Sequence, residues 1–194
     1  RPGTIKIYST EKKEEKSLQG LESAVDGIDV LFFVEEHNDS LGHLLQISLY
    51  DLLIDRYGTV TLSMEMFETD CQQVIDEYLS GFITEDKMVD DARAWGNYAS
   101  AYRPLLEAAK DIDQAVIAAN SPWRYCNIVS RIVLGRLQDL PRSSLDHLSP
   151  MPLYTADTSY YRRFQGAMGG IGHDINDNYF YAQCIWDATM AHRI

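Results

Sequence analysis

Two glutamates and a histidine in direct succession, Glu35-Glu36-His37, follow the apolar run Ile28-Asp29-Val30-Leu31-Phe32-Phe33-Val34. Carboxylates beside an imidazole can divide acid–base work on a water molecule, or they can hold a divalent metal. On the metal reading Glu35 and His37 are the ligands. On a hydrolytic reading Glu36 or His37 activates the water, and Arg124 steadies an oxyanion. Acidic groups also stabilise the start of a following helix, and Asp39 is read as such a cap. Glu65 lies in Val60–Met66, a second strand-like run, alternating with the small polar residues Thr61 and Ser63. A charge in a buried strand must be paired, and Arg124 is its natural partner. Asn120 and Arg124 follow a third run, Ala115–Ala119. Gln183 and Asp187 share one helical stripe with Ala191 and Ile194, and interrupt its apolar face.

To bring these residues together, the chain needs strands that end side by side. Ile28–Val34 reads as a fully buried strand. A helix capped by Asp39 or Ser40 carries Leu41, Leu44, Leu45, Leu49, Leu52 and Leu53 at helical spacing and stops near Gly58. Val60–Met66 then completes a βαβ unit with parallel strands. Residues 70–102 read as short helices broken at Gly81 and Gly96. Pro104 opens another helix, Ala115–Ala119 is the third strand, and a helix spans about 123–140. Trp95, Asn97, Tyr98, Tyr102 and Arg103 read as satellite core packing. Residues 141–175 form a long functional loop with one short helix, and a last helix runs from about Asn178 to Ile194. Residues 9–20 read as a solvated linker or helix turn within the polar segment 1–20. The expected fold is a single α/β domain over residues 1–194, with a mainly parallel sheet flanked by helices. Ligands of such sheets bind beyond the carboxyl ends of the strands, where Glu35, His37, Glu65, Asn120 and Arg124 fall. Three strands make a thin sheet, and no strand follows the last helix, so the domain is expected to be cut short at its C-terminus.

Composition narrows the function. The 194 residues carry 17 basic and 29 acidic side chains, a net charge of -12, which repels nucleic acid and anionic lipid. No apolar run reaches bilayer-spanning length and no signal peptide is recognisable. The chain opens at Arg1-Pro2, which is consistent with a leader or anchor already removed. Cys71, Cys126 and Cys184 lie far apart, without metal-finger spacing, each in an expected helix, and read as small buried hydrophobes.

Six ordered blocks carry a family resemblance. They are Val34-Glu35-Glu36-His37-Asn38-Asp39, Ser63-Met64-Glu65-Met66-Phe67-Glu68, Arg93-Ala94-Trp95-Gly96-Asn97-Tyr98, Tyr102-Arg103-Pro104-Leu105-Leu106-Glu107, Ile117-Ala118-Ala119-Asn120 with Pro122, and Trp186-Asp187-Ala188-Thr189-Met190-Ala191. Over roughly Ile28 to Ile194 the chain resembles the ChaN-like haem-binding uptake family, which belongs with Tiki-type proteases and erythromycin esterases. The resemblance implies helices around a mainly parallel sheet and haem binding linked to iron acquisition, and this chain's departures from the family pattern favour a non-enzymatic role. It also implies a bacterial cell envelope location, since members are often lipoproteins. A homodimer, and membrane association through a removed lipid anchor, are compatible with it. Val34 stands where the family has Gly, and the family's second Gly-x-x-His has no strand-borne counterpart, although Gly170-Ile171-Gly172-His173 spells it inside the loop. Haem needs an axial ligand, which Tyr or His can supply. The candidates are Tyr154, Tyr160, Tyr161 and His173, beside Phe164 and Met168, with Tyr160 and Phe164 on one helical face. The sequence does not select among these tyrosines. A metal-dependent hydrolase of protease or esterase type is the competing expectation.

Overall fold

The computed structural model describes residues 6–155, 157–169 and 177–194. In chain order they form β1 (Ile7–Ser9), β2 (Glu14–Lys16), α1 (Leu18–Ala24), α2 (Ser40–Tyr57) and β3 (Leu62–Glu68). A 3-10 turn (Thr69–Cys71) leads to α3 (Gln72–Leu79), α4 (Glu85–Asp91), α5 (Tyr98–Ala101), α6 (Arg103–Asp111) and β4 (Val116–Asn120). The chain continues through α7 (Trp123–Arg131), a second 3-10 segment (Leu134–Asp139), α8 (Arg142–Leu145), α9 (Thr158–Gly169) and α10 (Asp177–Arg193). These elements fall into two compact units, one of residues 1–61 with 96–115, the other of 62–95 with 116–194.

In the first unit the polar N-terminal segment is not a linker. Ile7–Ser9 pairs antiparallel with Glu14–Lys16, and Lys13, at φ 56°, makes the left-handed turn between them. The Lys6 ammonium lies 3.0 Å from the Glu15 carboxylate across this hairpin. Helix α2 begins and ends where its sequence requires. The Asp39 carboxylate accepts the Leu41 N–H at 3.0 Å, and Gly58, at φ 74°, closes the helix through its N–H to the Ile54 carbonyl. Helix α6, opened by Pro104 in its first turn, packs on α2 and buries Leu105, Leu106 and Ala109. Burying each leucine removes it from water for about 1.5–3 kcal/mol.

The expected first strand is absent. Residues Ile28–Val34 run without strand hydrogen bonds, and Val34 is 91% exposed. An apolar run becomes a strand only when a neighbour supplies a ladder for its N–H and C=O groups. Among the described residues the parallel ladder joins β3 and β4 only. The βαβ unit expected around α2 is therefore replaced by a β3–β4 pair whose crossover runs through α3 to α6.

The second unit holds that pair, in register Leu62 to Val116, Ser63 to Ile117 and Met64 to Ala118, with an irregularity before Glu68 meets Asn120. Gln72, on α3, completes the edge of β4. Its amide donates to the Val116 carbonyl and its oxygen accepts the Ala118 N–H, both at 2.8 Å. Met64 and Phe67 of β3 are buried, as are Ala118 and Ala119 of β4. Helices α7 and α10 pack on one another, around Cys126, Val129, Leu137 and Ile185. The helix expected over 123–140 breaks after Arg131, and Val133 is extended just before the 3-10 segment. Among the described residues the segment 141–175 carries α8 and the 12-residue α9, where one short helix was expected. The result is an α/β fold with a parallel pair flanked by helices. Among the described residues no helix is long and apolar enough to cross a membrane.

Candidate functional site

In the first unit Glu35 is the hub of a hydrogen-bond network. Its side chain is 8% exposed. Its Oε1 accepts the Tyr102 hydroxyl at 2.6 Å and faces His37 Nδ1 at 3.0 Å. Its Oε2 accepts the Gln46 amide at 2.6 Å and lies 3.2 Å from His43 Nδ1. Burial alone would raise the Glu35 pKa, but donors from Tyr102, His37 and Gln46 outweigh it and hold the carboxyl below its ordinary value. The His37 carbonyl accepts the Asn97 amide at 2.8 Å and lies 3.2 Å from His43 Nε2. The turn is thus tied down from α2 and from residues 97–102, while the His37 side chain is half exposed. Glu36 is exposed, and its carbonyl accepts the Asp39 N–H at 2.8 Å. Both oxygens of Glu35 face protein donors, and the carboxylate ties this turn to α2 and to Tyr102.

Sequence reasoning missed His43 and Gln46 and read Tyr102 as packing. His43 and Gln46 lie three apart on α2 and so share a face, which is the one signal that could have joined them. Tyr102 is indeed fully buried, but its hydroxyl is what reaches Glu35.

In the second unit the carboxyl ends of β3 and β4 carry a different charge cluster. Asp70 takes both guanidinium groups, Arg93 at 2.5 Å and Arg124 at its other oxygen. Glu68 accepts Arg93 at 2.6 Å and the Trp123 N–H at 3.1 Å, at the start of α7. Burial would raise the Asp70 pKa, but the hydrogen bonds and charges of the two arginines hold it below its ordinary value. The expected Glu65–Arg124 pair is corrected: Arg124 binds Asp70 and lies over the Tyr125 ring, 4.4 Å from its centroid. Glu65 stands on the exposed face of β3, two residues from Ser63. Asn120 ends β4 at 9% exposure, and its Oδ1 has no hydrogen-bond partner among the described residues.

The tyrosine candidates also lie in this unit. Tyr160, Tyr161 and Phe164 of α9 pack against Phe180 of α10, with ring centroids 5.3, 4.9 and 5.6 Å away. The Tyr160 hydroxyl donates to Asp187, which also accepts the Gln183 amide at 3.0 Å. The polar pair on the α10 stripe therefore anchors α9. The Tyr161 hydroxyl donates to Asp177 at 2.6 Å. Burial and the Asp187 carboxylate push the Tyr160 phenol up, and the hydrogen bond to Asp177 does the same for Tyr161. Tyr154 is 81% exposed. The residue before it in sequence, Leu153, lines an apolar cleft of about 350 Å³ together with Leu134, Gly135, Gln138, Met151 and Pro152. His173 lies outside the described residues.

Cys71, Cys126 and Cys184 are buried and unpaired by disulfides, and burial pushes their thiols up to about 12, 11 and 11. A thiol held protonated is a poor nucleophile and metal ligand. Among the described residues no group of three or more His, Cys, Asp and Glu side chains is placed to hold a metal ion. The expected divalent-metal site has no support here, because Glu35 is engaged by neighbouring donors.

The model of the haem-binding uptake family, ChaN, of the Tiki superfamily matches residues 22–194. The chain belongs to this family. A solved structure described as cofacial heme binding to ChaN of Campylobacter jejuni is similar in fold, with a TM-score of 0.60 at 11% identity. The match covers 97% of this chain and 71% of that chain. No curated protein matches the sequence. Family membership agrees with the blocks around Glu35, Glu65, Trp95, Tyr102, Asn120 and Trp186, and the structural neighbour agrees with the α/β reading. The hydrolase alternative finds no support in either comparison.

Proposed function

We propose that this family member binds haem as a non-enzymatic carrier in haem uptake, with a tyrosine of the 154–161 stretch as its contact to iron. The observation that supports the reading is an exposed phenol, Tyr154, next in sequence to Leu153, which lines an apolar cleft. That pairing fits the group: a porphyrin needs an apolar surface for its face and an oxygen or nitrogen donor for its iron. Haem supplies tight capture of ferric iron within a macrocycle. The chain's residues supply the apolar surface and the donor. The structural neighbour is described as binding haem cofacially, and on this reading the chain pairs with a second copy when loaded. Uptake also carries an expected place in the cell envelope, to be checked by fractionation of the native host.

The test is a hemin titration of the purified chain followed at the Soret band, with sedimentation of the loaded and unloaded protein. Saturable binding at a fixed stoichiometry, with a shift to dimer on loading, is the expected result. A spectrum that is the sum of free hemin and protein at every ratio would refute the reading.

A further inference from the structure

We infer that Ile28–Val34 is a receiving edge for a strand of another protein, an extended apolar segment with basic residues at its ends. Apart from Asp29 the run is apolar, and it is rich in the branched and aromatic types that suit a pleated surface. In the folded chain Ile28, Val30, Leu31, Phe32, Phe33 and Val34 are all exposed, Phe32 at 71% and Val34 at 91%. From Asp29 to Val34 no backbone N–H or C=O bonds another described residue. The bond nearest to the run is that of the Ile28 N–H to the Val25 carbonyl at 3.3 Å. Single apolar residues on a surface are ordinary, but a continuous row of them on an unpaired backbone marks an interaction site. Such a row has what strand addition uses: free main-chain donors and acceptors for affinity, and alternating side chains for specificity.

The run is also held in place at both ends. Asp26, just before it, accepts hydrogen bonds from Arg56 and from the Tyr57 hydroxyl, the latter at 3.0 Å. Glu35, just after it, is held by Tyr102 and Gln46, each at 2.6 Å. With both flanks tied to α2, pairing costs less chain entropy than it would for a free segment.

Charge selects the occupant. Residues 26–39 hold Asp26, Asp29, Glu35, Glu36 and Asp39, and no Lys or Arg. A second copy would pair the run with itself. The antiparallel register that matches all of it, Ile28 with Val34, sets Asp26 opposite Glu36 at both ends, and like charges facing each other across a ladder destabilise it. The net charge of -12 opposes that approach as well. A strand with Lys or Arg at its ends instead meets Asp29 and Glu36, both exposed.

The test uses the full chain without hemin. It is titrated with a labelled synthetic strand of alternating Val and Thr carrying Lys pairs at both ends. The same strand with Glu pairs, and the Lys strand methylated on all its backbone nitrogens, are the comparisons. Fluorescence anisotropy reads binding, and hydrogen exchange reads the amides of residues 29–34. The Lys strand is expected to bind saturably, about tenfold or more tighter than the Glu strand at low salt. The methylated strand is expected not to bind, and the amides to exchange fast in the free chain and become protected in the complex. Phe32→Pro removes an N–H that bonds nothing in the free chain, so it should lose the strand and keep the urea midpoint. The double variant Asp29→Lys with Glu36→Lys should turn the preference to the Glu strand. Amides already protected in the dilute free chain would show the run paired within the chain and overturn the inference. Protection that grows with protein concentration, with a dimer in sedimentation, would give the edge to a second copy and overturn it too. Failure of the Lys strand to bind, or equal binding of the methylated or the Glu strand, would do the same.

Discussion

The Tyr102 hydroxyl donates to Glu35 Oε1 at 2.6 Å, joining two residues 67 positions apart in the chain. Neither end is accessible enough for water to replace the other, and the acceptor is ionised. Such a bond to a charged group is worth about 1.5–3 kcal/mol, because losing the donor strands a buried charge. Tyr102→Phe keeps the ring that packs edge-on against His43. It should lower stability by about 2 kcal/mol, seen in urea denaturation as a smaller midpoint with an unchanged slope.

The two depressed carboxylates set the acid limb of stability. For Glu35 and Asp70 the folded pKa lies below the unfolded one, so the unfolded chain binds more protons in the intervening range. Their contribution is fully present above the ordinary carboxylate value of about 4 and is lost as pH falls through the lower, folded values. Denaturation curves taken between about pH 6 and pH 3 should therefore show falling stability in wild type. Asp70→Asn should be less stable at neutral pH and show a shallower acid decline. An equally steep decline in Asp70→Asn and Glu35→Gln would show that other groups control the limb.

Phe180 is the floor on which α9 rests. It is 2% exposed and meets Tyr160, Tyr161 and Phe164. Phe180→Ala removes the shared contact and should cost about 3–5 kcal/mol. Hydrogen exchange should register the loss first in the amides of Thr158–Gly169. Protection in α9 that survives the substitution would mean that the phenol–carboxylate bonds alone hold the helix.

The three thiols should be spectators. With burial raising all three pKa values, native protein should react slowly with a disulfide reagent at neutral pH and release three equivalents only when unfolded. Rapid modification of a folded chain would contradict this.

Local chemistry was readable wherever a few neighbouring residues decide the outcome. Asp39 and Gly58 bound α2 because capping and a left-handed closure act within one helical turn. Pro104 opens α6, the three cysteines are buried, and Tyr160 and Phe164 share a face, all within the reach of helical spacing. The family blocks, read as residues in order, identified the lineage. What the sequence could not decide was partnership across distance. Ile28–Val34 has the composition of a buried strand, but a strand exists only where another backbone completes its ladder, and β3 pairs with β4 instead. Strand logic offered Arg124 one acidic partner, Glu65, and the structure brings it a second, Asp70. Only the fold, which points Glu65 outward and Asp70 toward α7, selects the second. Glu35 looked like a ligand because its neighbours in sequence are Glu36 and His37. Its neighbours in space are Tyr102, Gln46 and His43, which turn the same carboxylate into a support. The tyrosines differ for the same reason: identical side chains become distinguishable once Asp187 is brought to Tyr160 and Asp177 to Tyr161. Sequence spacing fixes what lies along one face of one element, whereas hydrogen-bond commitment depends on what the folded chain brings opposite.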